Sequence, residues 1–311
     1  VRYSPKMNGR RVIRVLSAEA ELFPISKKTL ENFVWNFSVL IDAPLALAEL
    51  INDILQENIL GLKVPIYKIL DLPNIGIKLE ITNPRAFRGS NLGRYFSFSS
   101  SGKCKILRKT GKKVMYSIFL NLDITENITP NSKEALNIYQ ENSGRVIIPE
   151  ALRFNTTPLI ATWSNEPLIS SVAFTISIQP RKIEAQKVEK ALCVWLNSTF
   201  IITYLRALFS TLEGKYGHVR GWHIRVLPVP NLSDPNVVNG LVKVFNKYIN
   251  VKWEPLPNQY EKVLNKTDMT RLEYDLDILK TLATSYNLPI EEEALTTMLL
   301  NIYMKLLEII K

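Results

Sequence analysis

Apolar residues recur along this chain in two patterns, and the alternation between them outlines the fold. Over 42–60, Leu47, Leu50, Ile51, Ile54 and Leu55 form one stripe at helical spacing. Asp42 is placed to cap that stripe and Pro44 suits its first turn, so the segment predicts an amphipathic helix. Over 63–122 the pattern gives way to short β-rich runs at 64–70, 75–81, 94–98, 105–108 and 114–120, separated by Gly, Pro, Asn and Ser clusters. Lys109-Thr110-Gly111-Lys112 joins the last two runs and predicts a hairpin turn. After a polar stretch at 125–143, strands are expected at 145–149, 159–163 and 169–178. One long helix is then predicted over 183–209, because Val188, Leu192, Trp195, Leu196, Ile202, Leu205 and Phe209 keep helical spacing. A glycine-spaced loop, Gly214-Lys215-Tyr216-Gly217-His218-Val219-Arg220-Gly221-Trp222, leads into a final strand that ends at Leu227-Pro228-Val229-Pro230, since proline terminates a strand. Helical patterns close the chain at 236–249, 271–284 and 291–310. The last carries Glu291, Glu292 and Glu293 at its favourable amino end and Leu295, Met298, Leu299, Ile302, Leu306 and Ile309 on one face.

These elements predict an α+β protein: a mixed β-sheet module with a long packed helix and a C-terminal helical tail. Boundaries fall near Ser143 and just after Pro230. They give an N-terminal helix and basic β-rich region over 1–142, an α/β region over 143–230 and a helical region over 231–311. A length of 311 residues suits two domains and a tail.

With 46% apolar and 22% charged residues the composition is that of a folded globular chain. Cys104 and Cys193 are far apart and share no paired spacing with His218 or His223, which argues against a disulfide framework or a zinc site. No signal-peptide layout and no apolar run of membrane-spanning length is present, so a cytoplasmic location is expected.

The net charge of +10 changes the picture through its distribution. Over 81–122 there is no acidic residue, while Arg85, Arg88, Arg94, Lys103, Lys105, Arg108, Lys109, Lys112 and Lys113 all fall inside; over 240–311, nine basic residues are balanced by ten acidic ones. A clustered positive run attracts a phosphate backbone through counterion release. The middle of the chain is therefore the candidate contact surface, with Arg85, Arg88, Lys105, Arg108, Lys109, Lys112 and Lys113 as expected phosphate contacts. A solvated, partner-free face is the structural alternative.

Motifs for catalysis are missing from the sequence. A methyl-transfer site for adenine needs a Gly-rich cofactor loop and an Asn/Asp-Pro-Pro-aromatic motif, and the nearest approach, Asn83-Pro84-Arg85, lacks the second proline and the aromatic. Walker, dinucleotide, serine-hydrolase, zinc-protease and nuclease signatures are absent as well.

What remains is an order of phrases. Arg145-Val-Ile-Ile-Pro149 precedes the strand 168–178, followed by a helix containing Leu196-Asn197-Ser198, the glycine-spaced loop, and Ile224-Arg225-Val226-Leu227-Pro228-Val229-Pro230-Asn231. Over about residues 143–311 this order resembles the C-terminal target-recognition region of adenine-specific DNA methyltransferases and restriction-modification enzymes. Arg271-Leu-Glu-Tyr-Asp275 and the acidic start at Glu291 are similar to the closing helices of those proteins.

The resemblance implies a sequence-specific duplex-DNA recognition module. Its catalysis and S-adenosylmethionine would belong to a methyltransferase catalytic domain or subunit elsewhere, with no cofactor, no catalytic residue and no membrane partner for this chain. A chain starting at Val1 without the catalytic motif is expected to be a recognition subunit, a split gene product or an excised piece. Lys215, Tyr216, His218 and Arg220 are then the expected base-edge or strand contacts, because loops carry function. The structural alternative for that loop is a surface turn around a buried Trp222. The Asn197-Ser198 pair is expected to be structural, hydrogen-bonded locally within the helix. Two other roles stay open: a protein-interaction subunit that docks through the tail helices, and a single-stranded nucleic-acid binder that stacks bases on Phe87, Tyr95, Phe96 and Phe98.

Overall fold

A run such as Val146-Ile147-Ile148 suits a strand covered on both faces. In the computed structural model, which describes residues 2–7, 10–14, 50–51, 53–54, 56–109, 114–208 and 217–310, that run lies inside a seven-stranded sheet. Its strands are β1 (Ile77–Thr82), β2 (Phe96–Phe98), β3 (Cys104–Leu107), β4 (Glu126–Pro130), β5 (Gly144–Pro149), β6 (Thr162–Ser170) and β7 (Ala173–Pro180). They stand side by side as β1-β7-β5-β6-β3-β4-β2. Neighbours are antiparallel except β6 and β3, which run parallel with Ile169 opposite Ile106. Gly144 is required where β5 meets β7, since a Cβ there would stand 2.4 Å from the Ile176 carbonyl oxygen.

The helices are α1 (Ser90–Tyr95), α2 (Lys133–Asn142), α3 (Ala185–Leu196), α4 (Thr199–Leu208), α5 (Gly221–Arg225), α6 (Pro235–Tyr248), α7 (Leu256–Leu264), α8 (Thr270–Ser285) and α9 (Glu292–Ile310). Helix α3 packs across β5, β6 and β7, α6 packs on α3, and α8 on α6, while α7 and α9 join α8. Mixed sheet and helices make the fold α+β. The main core runs from Leu50 to Ile310. A smaller second core, with Phe87, Phe96, Ile106, Ile128 and Tyr139 among its members, lies where α1 and α2 meet the β3–β4–β2 end of the sheet.

Several expected elements take other forms. Residues 42–49 of the first helix lie outside the described residues; its later part is helical at 50–51 and 53–54, with Leu50, Ile51 and Ile54 buried. That helix stops before Asn58–Ile59, which pairs with Leu62–Lys63. The run at 64–70 shortens to the strand Ile66–Lys68, paired with Pro228–Pro230, because Ile69–Ile75 turns into a 3-10 helix around Pro73. The run at 114–120 is not a strand. It lies beside β6, with a bridge from Phe119 to Trp163 and 2.8 Å bonds from the Leu120 N–H to the Trp163 carbonyl and from the Trp163 N–H to the Ile118 carbonyl, and β3 pairs with β4 and β6 instead, so the predicted hairpin arms do not meet. The run at 168–178 divides at Ser171-Val172 into the end of β6 and the start of β7. Helix α7 escaped the pattern, and the final strand is only three residues long, preceded by the single helical turn of α5.

The predicted long helix breaks at Asn197-Ser198, and the break has a clear physical reason. Buried Asn197 reaches across to another segment: its Oδ1 accepts from the N–H groups of Ile160 and Ala161 at 2.8 and 2.9 Å, and its Nδ2 donates to the Ala161 and Cys193 carbonyls at 2.8 and 3.0 Å. The side chain thus satisfies polar backbone groups that burial would otherwise orphan. The backbone freed at the break is taken up by α8. Arg271 donates to the Asn197 carbonyl at 2.8 Å, and Asp275 accepts from the Thr199 N–H at 3.0 Å and its hydroxyl at 2.5 Å. Tyr303 of α9 donates to the same carboxylate at 2.8 Å.

Candidate nucleic-acid interface

Backbone hydrogen bonds join four segments distant in sequence into one rim of the sheet. The Val219 N–H donates to the Glu150 carbonyl at 2.7 Å, the Glu150 N–H to the Val172 carbonyl at 3.2 Å, and the Ser171 N–H to the Leu107 carbonyl at 3.1 Å. Ala151–Leu152 pairs with Gly217–His218 beside this chain of bonds. Buried Ser170 fixes the turn between β6 and β7 by donating to the Leu107 carbonyl and accepting from the N–H groups of Val172 and Ala173.

Arg85 and Arg88 enter the rim from the 3-10 turn Pro84–Phe87, which Asn83 caps by accepting the Arg85 N–H at 3.0 Å. Both guanidiniums converge on Glu150. Arg85 Nε stands 3.6 Å from Oε1, and Arg88 bonds Oε2 through one terminal nitrogen while its Nε donates to the Ser171 carbonyl at 2.6 Å. His218 lies on the short strand paired with Ala151–Leu152 and Arg220 follows it at the start of α5, and both are exposed. The structure therefore brings together Arg85, Arg88, His218 and Arg220, two expected phosphate contacts and two expected base contacts.

The other expected cations sit further along. Exposed Arg108 and Lys109 follow Leu107 at the end of β3; the Arg108 guanidinium bonds Glu126 at 3.1 Å and lies 4.9 Å from the centre of the Phe98 ring. Lys105, half-buried within β3, donates to Asn127 Oδ1 at 2.7 Å. Lys112, Lys113, Lys215 and Tyr216 lie outside the described residues. The carboxylate-free window of the sequence is thus less bare in space, because folding carries Glu126 and Glu150 onto it from outside its bounds. The guanidiniums of these pairs are exposed, and the Arg108–Glu126 pair is exposed on both sides, whereas Glu150 is only 16% exposed.

Trp222 is not the buried residue that the structural alternative required: it is 44% exposed on α5. Buried His223 beneath it is the residue that anchors the turn. Its Nδ1 accepts the Arg220 N–H at 3.0 Å, and its ring bonds the His218 backbone. Burial, reinforced by the Arg220 charge, lowers its pKa to about 4, so it stays neutral at pH 7. Arg225, also exposed, completes a second acid-free window over 214–233 that was visible in the sequence. Of the proposed stacking aromatics, Phe87 and Phe96 are buried in the second core, whereas Tyr95 is half-buried and Phe98 is 50% exposed.

Among the described residues no cluster of His, Cys, Asp and Glu could hold a metal ion, and no helix is long and apolar enough to cross a membrane. Both cysteines are free and buried.

Neither a family model nor a curated protein matches the sequence. Among solved structures the chain is similar to the crystal structure of an HsdS subunit from Thermoanaerobacter tengcongensis, with 11% sequence identity and a TM-score of 0.31. The similarity covers 71% of this chain and 44% of that one, so the chain spans less than half the length of that subunit.

Proposed function

We propose that this chain is a duplex-DNA recognition module of an adenine-specific methyltransferase or restriction-modification system, and that the rim around Glu150 is its contact surface. The observation that carries this reading is the convergence of Arg85, Arg88, His218 and Arg220 through the Val219–Glu150–Val172 backbone bonds. Arginines on phosphates supply affinity and orientation, and loop side chains that reach base edges supply sequence preference. Methyl transfer and S-adenosylmethionine belong, in this reading, to another domain or chain.

The test is a binding titration of the purified chain on duplex DNA, single-stranded DNA and RNA, followed by selection from a randomised duplex library. The expected result is tightest binding to duplex, with Arg220→Ala or His218→Ala changing the preferred sequence at a cost of roughly 1–3 kcal/mol. Equal binding of all three nucleic acids, or unchanged preference in both folded variants, contradicts the reading. A second reading, protein docking through the C-terminal helix, is favoured by Met298 and Met304, which stand 45% and 47% exposed on α9. Calorimetry with S-adenosylmethionine adds a check, with no measurable binding by this chain expected.

A further inference from the structure

Four tryptophans fall among the described residues, and three of them are core: Trp163, Trp195 and Trp253 are each exposed by 3% or less. Trp222 alone of the four stands out of the surface. Its setting is rigid. Gly221 and Ile224 seat the single turn of α5 between Phe174 of β7 and the 3-10 turn Ile69–Ile75. His223, 6% exposed, pins the backbone on either side of the indole through its bond from the Arg220 N–H, and its ring centre lies 3.8 Å from that of Trp222. The indole thus rests against a buried ring with 44% of the residue open to solvent.

The chemistry around it is cationic. Arg220 and Arg225 flank Trp222, both exposed, and no carboxylate occurs from 214 to 233. A flat π-surface between guanidiniums fits a polyanion whose units carry flat faces of their own. Stacking on such a surface is tolerant of base identity, whereas the flanking charges respond to phosphate. Inside an intact duplex every base face is already stacked, so the indole can meet one only where the stack is opened by a kink or by extrusion of a nucleotide.

We propose that Trp222 is a base-stacking contact that occupies an opened step in bound DNA, positioned by His223 and flanked by the exposed cations Arg220 and Arg225. This rests on the reading of the rim as a DNA-binding surface. Leu70, 47% exposed on the 3-10 turn beneath α5, is the feature that a protein partner would use instead.

The experiment compares the parent chain with Trp222→Ala and Trp222→Phe on an intact duplex and on the same duplex carrying one abasic site. Affinity, salt dependence and intrinsic tryptophan fluorescence are the readouts. The expected result is tighter binding of the abasic duplex by the parent, with a fluorescence quench that Trp222→Phe lacks. Trp222→Ala is expected to lose about 5- to 100-fold in affinity for the abasic duplex, the range of one lost base–aromatic stack, with an unchanged salt slope, and Trp222→Phe to recover most of that loss. If Trp222→Ala fails to fold, the missing quench in Trp222→Phe still decides. A parent that binds DNA with salt dependence, while both variants bind equally well and the quench persists without Trp222, overturns the stacking role and leaves the rim intact. A parent that binds no DNA overturns the reading of the rim itself.

Discussion

Arg271 and Arg88 are both guanidinium groups that meet a carboxylate, yet the regions they occupy use that pairing in opposite ways. Arg271 is 1% exposed and Asp275 fully buried; Thr199, Tyr303 and the Asn197 carbonyl bond them as well, while Arg271 Nη1 is buried without a hydrogen-bond partner. Tyr274 and Tyr260 stack around the guanidinium at 5.4 and 5.9 Å. At the rim, Arg85 and Arg88 share one carboxylate with water at their backs. The interior pair is committed to joining α8 and α9 to the break between α3 and α4, whereas the rim guanidiniums keep much of their surface open to solvent. Charge by itself therefore marks no site in this chain; burial and partner number separate a structural guanidinium from an available one.

The comparison breaks first on stability. Arg271→Ala is expected to lower the unfolding free energy by about 3–5 kcal/mol, because a buried carboxylate loses its partner. Denaturant titration measures this, and a loss under 1 kcal/mol would mean that Asp275 finds water. Asn197→Ala comes next, at about 1–3 kcal/mol for the orphaned N–H groups of Ile160 and Ala161. Smallest in stability is Arg108→Ala, with roughly 0–1 kcal/mol expected from a pair with Glu126 that is exposed on both sides.

Between these lies a dependence on pH carried by two buried groups of opposite sign. Burial raises Glu189 to about 7 against the partial relief of Arg145, and His223 is lowered to about 4. The Glu189 contribution is present in full below its ordinary value of 4.5 and is lost as pH rises through 7. The His223 contribution is present in full above 6.5 and is lost as pH falls through 4. Over the shared interval the two slopes oppose. Glu189→Gln should leave a protein that weakens steadily as pH falls from 6.5 to 4, and His223→Gln one that weakens as pH rises from 4.5 to 7. Denaturation midpoints across that range check both, and a Glu189→Gln profile parallel to the parent's removes the assignment.

Legibility in the sequence followed the reach of the forces involved. Periodicity located α6, α8 and α9 within a residue or two, and β1, β3 and β5 as closely, since local patterning decides those elements. Where a distant partner decides, the pattern misled. The apolar stripe over 183–209 carries no mark that Asn197 must serve Ile160 and Ala161, nor that Arg271 and Asp275 will receive the freed backbone. Likewise the β-rich composition of 114–120 could not reveal that β3 finds its partners in β4 and β6. For the candidate interface, the sequence supplied the cations and the fold supplied their neighbours. Glu126 and Glu150 come from outside the acid-free window, and the exposure of Trp222 depends on His223 taking the buried place beneath it.

The central claim is that the rim cations are free to meet phosphate. Its most direct test is the slope of log affinity against log salt for a duplex, compared between the parent and Arg85→Ala/Arg88→Ala. A steep negative slope in the parent, reduced by about one unit for each phosphate contact removed, is the predicted result. A folded double variant that binds with the parent's affinity and the parent's slope would contradict it and leave the rim a solvated face.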